Sequence, residues 1–172
     1  FIVGGIMKKF RVAPMVIIGS VILIIDQITK FLVVENMAIG ESIPLLGEFL
    51  QLTSHRNAGA AWGMFQGQMI FFYIVTIVVV ALLLYIYKKE AENNFLMQLS
   101  ITLLLAGAIG NFIDRILFQE VVDFVDVLIF GYDFPIFNVA DSALTVGVIL
   151  MLIEFFLTGR SGDNERNNSR QK

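Results

Sequence analysis

The residues with the clearest chemical potential are carboxylates and amides set among apolar side chains. The stretch FPIFNVADSALTVGVILMLIEFF, residues 134–156, is apolar enough to lie in a membrane, yet it contains Asn138 and Asp141. An ionisable side chain in hydrocarbon costs free energy, so a carboxylate there is by default a candidate functional group. The loop just upstream supplies three more carboxylates, Asp123, Asp126 and Asp133.

Two carboxylates brought together would have a defined chemistry. They cannot comfortably both ionise, so one pKa rises and the pair holds a single proton. The ionised member can take a proton from water as it attacks a carbonyl, while the protonated member donates to the carbonyl oxygen. The helix N-terminus favours an ionised Asp141, which leaves Asp123, set among apolar residues in VVDFVD, as the proton carrier.

The same residues have structural interpretations. Asn138 followed three residues later by Asp141 resembles a capping box, in which each side chain bonds a backbone N–H of the first helical turn. Asp26 and Lys30 are four apart with the acid first, as in an intrahelical ion pair. Asn111 and Arg115 are also four apart on one face, and Asp114 with Arg115 could mark a helix end at the headgroups, although the adjoining glycines favour burial of this end against a neighbouring helix. The pairing of Asp141 with a second carboxylate favours the catalytic interpretation.

The elements that must position these residues are transmembrane helices. Of 172 residues, 57% are hydrophobic and 16% are charged, a composition typical of membrane proteins. Apolar stretches long enough to span a bilayer occupy about 12–34, 69–87, 95–113 and 139–158. The chain has no cysteine and one histidine, so we expect no disulfide, no thiol chemistry, no metal site and no cofactor. The fold class is therefore an all-α membrane protein of four helices.

The distribution of basic residues predicts the orientation. Cytoplasmic flanks collect Lys and Arg, and nine of the twelve lie before the first helix, after the second or in the tail. The opposite side holds Lys30, Arg56 and Arg115 against ten acids. Both termini are therefore predicted to be cytoplasmic, which places the polar ends of three helices at the outer surface.

Four parts of the chain outside the spans carry predictions of their own. Residues 1–6 before Met7 are interpreted as a cloning remnant, and residues 159–172 as a polar, disordered cytoplasmic tail. Residues 35–68 show hydrophobic alternation in EFLQLTSH, which predicts a small sheet at the outer membrane surface, with Trp62 at headgroup level. The segment between the third and fourth helices is too short for a domain and too apolar for a free loop. Small residues in the third helix, Ala106, Gly107 and Gly110, predict close approach of another helix.

Five motifs together resemble the lipoprotein signal peptidases, also called signal peptidase II. They are DQITK at 26–30, NAGAAWG at 57–63, GNFIDR at 110–115, VVDF at 121–124 and FNVAD at 137–141. They occur in order over nearly the whole chain after Met7. Any one of these motifs would be weak evidence for the resemblance, whereas five of them in the family's order are specific.

The resemblance implies an aspartic endopeptidase of the bacterial cytoplasmic membrane, with its active site on the extracytoplasmic face. Such an enzyme removes the signal peptide from prolipoproteins before a diacylglyceryl-modified cysteine. By motif position, Asp123 and Asp141 correspond to the catalytic pair. Residues that correspond to supporting or substrate-binding positions are Asp26, Lys30, Asn57, Gly59, Asn111, Arg115, Asn138 and Ala140. The family's β-cradle would lie around residues 49–63.

The resemblance also implies the partners. These are the lipidated prolipoprotein, membrane lipids and cyclic peptide antibiotics such as globomycin; no nucleic acid partner is expected, and a monomer suffices. We expect Arg115 to orient the site, bonded to Asn111 or to a loop carbonyl, since its pKa is too high for proton transfer.

Three other interpretations were weighed. An intramembrane protease of the presenilin or prepilin-peptidase type also uses two aspartates, but those families carry Gly-x-Gly-Asp, whereas Asn138, Val139 and Ala140 precede Asp141 here. A proton or ion pathway needs polar groups along the depth of the bundle, and only Glu154 lies deeper toward the cytoplasm. A structural membrane subunit would use the polar cluster only to hold helices together.

Overall fold

The fold consists of four long helices and one small antiparallel sheet. The computed structural model describes residues 10–60 and 64–170, and the side chains only as far as residue 158. The helices are α1 Val12–Asn36, α2 Met69–Glu90, α3 Phe95–Phe118 and α4 Val139–Arg170. Each contains a stretch long and apolar enough to cross a membrane. The four predicted spans are therefore present, with α1, α2 and α3 ending two to five residues later than the sequence indicates. Residues 1–6 and Trp62 lie outside the described part.

The far end of α4 differs from expectation. Its membrane-spanning part is Val139–Thr158, the range predicted from hydropathy. The helical backbone then continues to Arg170, where the sequence predicts a disordered tail from residue 159. Once a helix is nucleated, each added residue gains one backbone hydrogen bond, so a polar extension can continue the helix without a buried face.

The sheet has four antiparallel strands in the order β1-β2-β3-β4. Their bounds are β1 Ser42–Leu46, β2 Leu50–Asn57, β3 Val121–Ile129 and β4 Tyr132–Asp133. The first two pair with each other inside residues 35–68, where the sequence predicts a small sheet. The last two were not predicted as strands, because VVDFVDVLI is apolar at positions pointing to both faces and lacks the alternation of a half-buried strand.

The pairing of β2 with β3 joins two distant parts of the chain. Leu52 lies opposite Val125, and His55 lies opposite Asp123, with one extra residue in β2 between these pairs. Buried Val122 and Phe124 pack against Val33 at the end of α1. The sheet is thereby fixed to the same end of the bundle as the polar residues of α1, α3 and α4.

The core of the bundle is α3, which packs against the other three helices. Half of the apolar membrane-spanning stretch of α3 is buried inside the protein, whereas only 17% of the corresponding stretch is buried in each of the other three helices. Two glycines allow α4 to approach. A Cβ atom added at Gly107 would contact the carbonyl oxygen of Ala140 and would lie 2.7 Å from Cγ of Leu144. A Cβ atom added at Gly110 would lie 3.1 Å from Cβ of Ala140. The predicted close packing is confirmed.

Gly107→Ala is expected to destabilise the protein by about 1–3 kcal/mol, the usual range for overpacking. The added methyl group meets the main chain of α4, which cannot rotate away. Gly19→Ala is the matched control, since its Cβ would come 3.3 Å from the Cγ2 of Thr102, the end of a side chain. Thermal unfolding in detergent measures both variants, and equal melting temperatures would contradict this account of the seam.

Candidate active site

Asn138 connects Asp123 to Asp141. Its side-chain nitrogen donates to Asp123 Oδ1 at 2.7 Å, and its backbone nitrogen donates to Asp141 Oδ2 at 3.1 Å. Asp123 and Asn138 are almost fully buried. One residue thus holds a carboxylate of the sheet and a carboxylate of α4, eighteen positions apart in sequence.

The capping interpretation of Asn138 and Asp141 is also correct. Asp141 N donates to Asn138 Oδ1 at 2.9 Å, while Asn138 N donates to Asp141 Oδ2, which completes a reciprocal capping box. Capping and a role in the site are compatible, because the cap leaves the Asn138 amide nitrogen free to reach Asp123. The helix start therefore fixes the orientation of both groups.

Asn111 on α3 holds the other oxygen of Asp141. Its side-chain nitrogen donates to Asp141 Oδ1 at 2.7 Å. Its side-chain oxygen accepts from Lys30 Nζ at 3.0 Å and from Asn138 Nδ2 at 3.1 Å. These two donors fix the orientation of the Asn111 amide, so its N–H groups face Asp141.

A buried ion cluster supports this arrangement. Lys30 Nζ lies 2.9 Å from Asp26 Oδ2 and 2.9 Å from Asp114 Oδ2. The three side chains are at most 4% exposed. Asp26 also accepts the backbone N–H of Ala140 at 2.8 Å, and Asp114 accepts that of Val122 at 3.2 Å. The cluster therefore bonds directly to the residues next to Asp141 and Asp123.

Burial and charge shift the acidity of Asp123. Loss of hydration is the larger cause and the neighbouring Asp141 charge the second, and together they outweigh the opposing contacts and raise the pKa of this carboxyl to about 7. Hydrogen bonds from Asn57 and Asn138, with the Lys30 charge, act the other way. The Asp123 carboxyl therefore exchanges its proton near neutral pH.

The loop after β2 is attached to the site through Asn57. Its side-chain nitrogen donates to Asp123 Oδ2 at 3.0 Å, and its side-chain oxygen accepts from Gly59 N at 2.9 Å. Arg115 donates to the Gly59 carbonyl oxygen at 3.1 Å and lies 4.5 Å from the centre of the Phe72 ring. The expectation that Arg115 bonds a loop carbonyl is confirmed, and the alternative partner Asn111 is not used.

The remaining upstream carboxylates lie elsewhere. Residues three apart on a strand point to opposite faces, so Asp126 points away from Asp123 and accepts from Thr53 Oγ1 at 2.6 Å. Asp133 is exposed on β4. Of the three candidates offered by the sequence, Asp123 is the one placed beside Asp141.

Sequence reasoning missed two members of the site. Asp114 was not among the predicted site residues, and a place at the headgroups was left open for it, but it is 2% exposed and pairs with Lys30. Gln27 donates to Asp114 Oδ1 and Asp26 Oδ2, each at 3.1 Å. The spacing of Asn111 and Asp114, one helical turn apart, was the available signal, since it puts both on one face of α3.

The fold and the site define an integral membrane protein in which two carboxylates are held where the helices meet the sheet. Residues 18–157 match the family model described as signal peptidase (SPase) II. The chain therefore belongs to the signal peptidase II family, and it is a peptidase.

Relatives and solved structures agree with this assignment. The lipoprotein signal peptidase of Staphylococcus carnosus strain TM300 is 57% identical over 153 residues, which cover 89% of this chain and 96% of that protein. That of Staphylococcus aureus strain JH9 is 53% identical over 146 residues, covering 85% and 90%. A bacterial membrane enzyme solved by the in meso method at 2.3 Å is similar, with a TM-score of 0.84 and 51% identity over 88% of this chain and 93% of that one. A second, at 1.9 Å, has a TM-score of 0.81 and 51% identity over 88% and 97%.

Proposed function

We propose that this protein is an aspartic endopeptidase that cleaves diacylglyceryl-modified prolipoproteins before the lipidated cysteine. The observation that carries the proposal is the bridge through Asn138 between Asp123 and Asp141. Membership of the signal peptidase II family supports the substrate class.

The geometry supports distinct roles for the two carboxylates. Asp141 accepts from Asn111 and Asn138, and both donors stabilise the ionised form. Asp141 would take a proton from water as the oxygen attacks the scissile carbonyl. Asp123, whose pKa is raised to about 7, would donate its proton to the carbonyl oxygen. In the resulting tetrahedral diol, Asp141 would pass the proton it took from water to the amide nitrogen, and Asp123 would take back its proton from a hydroxyl group. The C–N bond then breaks, the amine of the lipidated cysteine leaves, and both carboxyl groups return to their starting states.

Asn138 and Asn111 would hold the carboxyl groups of Asp123 and Asp141 in fixed positions relative to each other. Asn57, Gly59 and Arg115 would hold the loop that follows β2 against the site, while Ala140 and the Lys30 cluster would fix the first turn of α4.

No step in this mechanism requires a metal, so a chelator should leave cleavage unchanged. Loss of activity with chelator would contradict it.

The distribution of basic residues supports an extracytoplasmic site. Lys88 and Lys89 end α2, at the end of the bundle opposite to the sheet. A substrate signal segment in the bilayer would then meet Asp123 and Asp141 at the outer surface, where water is available.

The test is incubation of the purified protein with one prolipoprotein before and after diacylglyceryl transfer. Mass measurement should find loss of the signal peptide from the lipidated form alone, with the lipidated cysteine as the new N-terminus. Equal cleavage of the unmodified form would contradict the proposed specificity. A proton or ion pathway would instead give flux across vesicles without cleavage.

The rate should fall on the alkaline side of neutrality. The active form needs Asp123 protonated, and its pKa is about 7 in the free enzyme. As the pH rises through this value the proton is lost, so kcat/KM is expected to fall with a midpoint of about 7, tenfold per pH unit above it. The measurement is kcat/KM from pH 5 to 9 at constant ionic strength. A profile still flat at pH 9 would contradict the assignment of the proton to Asp123.

A further inference from the structure

The turn between β3 and β4 has an unusual composition. It consists of Phe130 and Gly131, with φ values of 50° and 81°. Two positive φ values are the pattern of a type I′ hairpin turn, which favours Asn, Asp or Gly at both positions. A bulky aromatic residue is strained there. Phe130 is also fully exposed, at 105%, so packing within the described part of the chain does not offset the strain.

Apolar residues continue on both sides of this turn. Ile129, Tyr132 and Phe134 are 40%, 55% and 42% exposed. Ile129 lies opposite Tyr132 in the register, so these side chains share one face of the hairpin, and Phe134 follows two residues later on the same face. By the same two-residue period, this is the face of β3 that carries Asp123.

The charge around the turn favours lipid over a charged partner. Residues 127–137, VLIFGYDFPIF, contain no Lys or Arg and one acid, Asp133. An apolar surface without basic residues is suited to the acyl region of a bilayer and has no electrostatic preference for anionic lipid.

The hairpin is continuous with a surface that already faces lipid. The membrane-spanning part of α4 begins at Val139, nine residues after Phe130. Phe134 and Phe137 form an edge-on pair, with ring centres 5.8 Å apart, between the turn and this helix. The backbone of the hairpin is paired at Leu128 with Asp133 and at Ile129 with Tyr132, so its insertion would leave few unsatisfied polar groups in hydrocarbon.

We propose that the β3–β4 tip, residues 129–134, inserts into the bilayer surface and holds the face of the sheet that carries Asp123 against the membrane. The tip is an anchor separate from the four helices. It fixes the height of β3 relative to the lipid, and therefore the height of Asp123.

Site-directed spin labelling tests the anchor on the full chain. The protein has no cysteine, so Phe130→Cys gives a single labelling site. Glu48→Cys is the matched control, an exposed position in the turn between β1 and β2 of the same sheet. Collision of the nitroxide with oxygen, which concentrates in lipid, and with a water-soluble nickel chelate is measured in vesicles. The vesicles contain phosphatidylcholine alone, or phosphatidylcholine with phosphatidylglycerol.

The label at position 130 should be roughly tenfold less accessible to the nickel chelate than the label at position 48, in both lipid mixtures. Equal access at the two positions would overturn the proposal. Protection that appears only with anionic lipid would overturn its apolar basis. Protection that appears only after a lipidated peptide is added would assign the tip to substrate binding instead.

A second variant separates insertion from folding. Phe130→Asn gives the Asn-Gly pair that this turn favours, so the hairpin should form at least as well. A label at Ile129→Cys should become several-fold more accessible to the nickel chelate in the Phe130→Asn background, with an unchanged melting temperature. Unchanged access would show that Phe130 is not the anchoring side chain.

Discussion

Asp123→Asn and Asp141→Asn should each reduce cleavage of a diacylglyceryl-modified prolipoprotein by roughly 10⁴-fold, while the variants still fold and bind it. An amide at position 141 cannot take a proton from the attacking water. An amide at position 123 cannot donate a carboxyl proton to the scissile carbonyl. The two groups act as a unit, so the double variant should be little worse than either single variant.

The measurement is single-turnover cleavage followed by mass, with binding of a fluorescent lipidated peptide measured separately. Asp126→Asn is the matched control, because it makes the same change on the same strand but on the opposite face, where Asp126 bonds Thr53. It should retain activity within a few-fold. Cleavage at parental rate by Asp123→Asn, or a comparable loss in Asp126→Asn, would refute the assignment of the pair.

The stability of these variants distinguishes loss of chemistry from loss of fold. The pKa of Asp123 is about 7 in the folded protein and about 4 when unfolded. Between these values the folded state binds more protons, so its stability falls as the pH rises from about 4 to about 7. Asp123→Asn removes this dependence. Its melting temperature should therefore vary less with pH over that range than that of the parent protein.

Lys30→Met is expected to destabilise the protein by about 3–5 kcal/mol, the cost of leaving buried charge unpaired. The ammonium group lies 2.9 Å from both Asp26 and Asp114, and all three side chains are buried. Its removal leaves two carboxylates without their cation. It also removes one of the two donors that orient the Asn111 amide toward Asp141, so activity should fall as well.

Unfolding in detergent, monitored at increasing denaturant, measures the loss. Lys89→Met is the control, since Lys89 is exposed at the other end of the bundle and should change stability by less than about 0.5 kcal/mol. Adding Asp26→Asn and Asp114→Asn to Lys30→Met should recover part of the stability, because all three charges are then absent. A Lys30→Met protein as stable as the parent would show that the cluster contributes no net stabilisation.

The sequence by itself determined the membrane-spanning helices. About twenty apolar residues are enough to define a span, because the bilayer requires every backbone group to bond within its own helix. This local requirement gave the start of all four helices. Spacing along one helix likewise predicted the Asp26–Lys30 ion pair and the capping box of Asn138 with Asp141, which involve residues three or four apart.

The selection of residues for the site came from a different kind of information. From spacing alone, Asp123, Asp126 and Asp133 were equivalent partners for Asp141. The apolar neighbours of Asp123 in VVDFVD favoured that residue, and the resemblance in VVDF and FNVAD agreed with the choice. The structure supplies the physical reason. Strand alternation turns Asp126 to the opposite face, and Asn138 bonds Asp123.

What only the tertiary structure decided is which distant groups meet. The pairing of β2 with β3 brings Asn57 to Asp123, sixty-six residues away. Although VVDFVDVLI is rich in residues that favour strands, it lacks the alternation of a half-buried strand, and its composition does not identify its pairing partner. The packing of α1 on α3 buries Asp114 beside Lys30, whereas the sequence left open whether Asp114 lies at the headgroups or in the bundle. Local propensity extends over a few residues, whereas these contacts depend on long-range packing, which is why the helices could be predicted and the network between them could not.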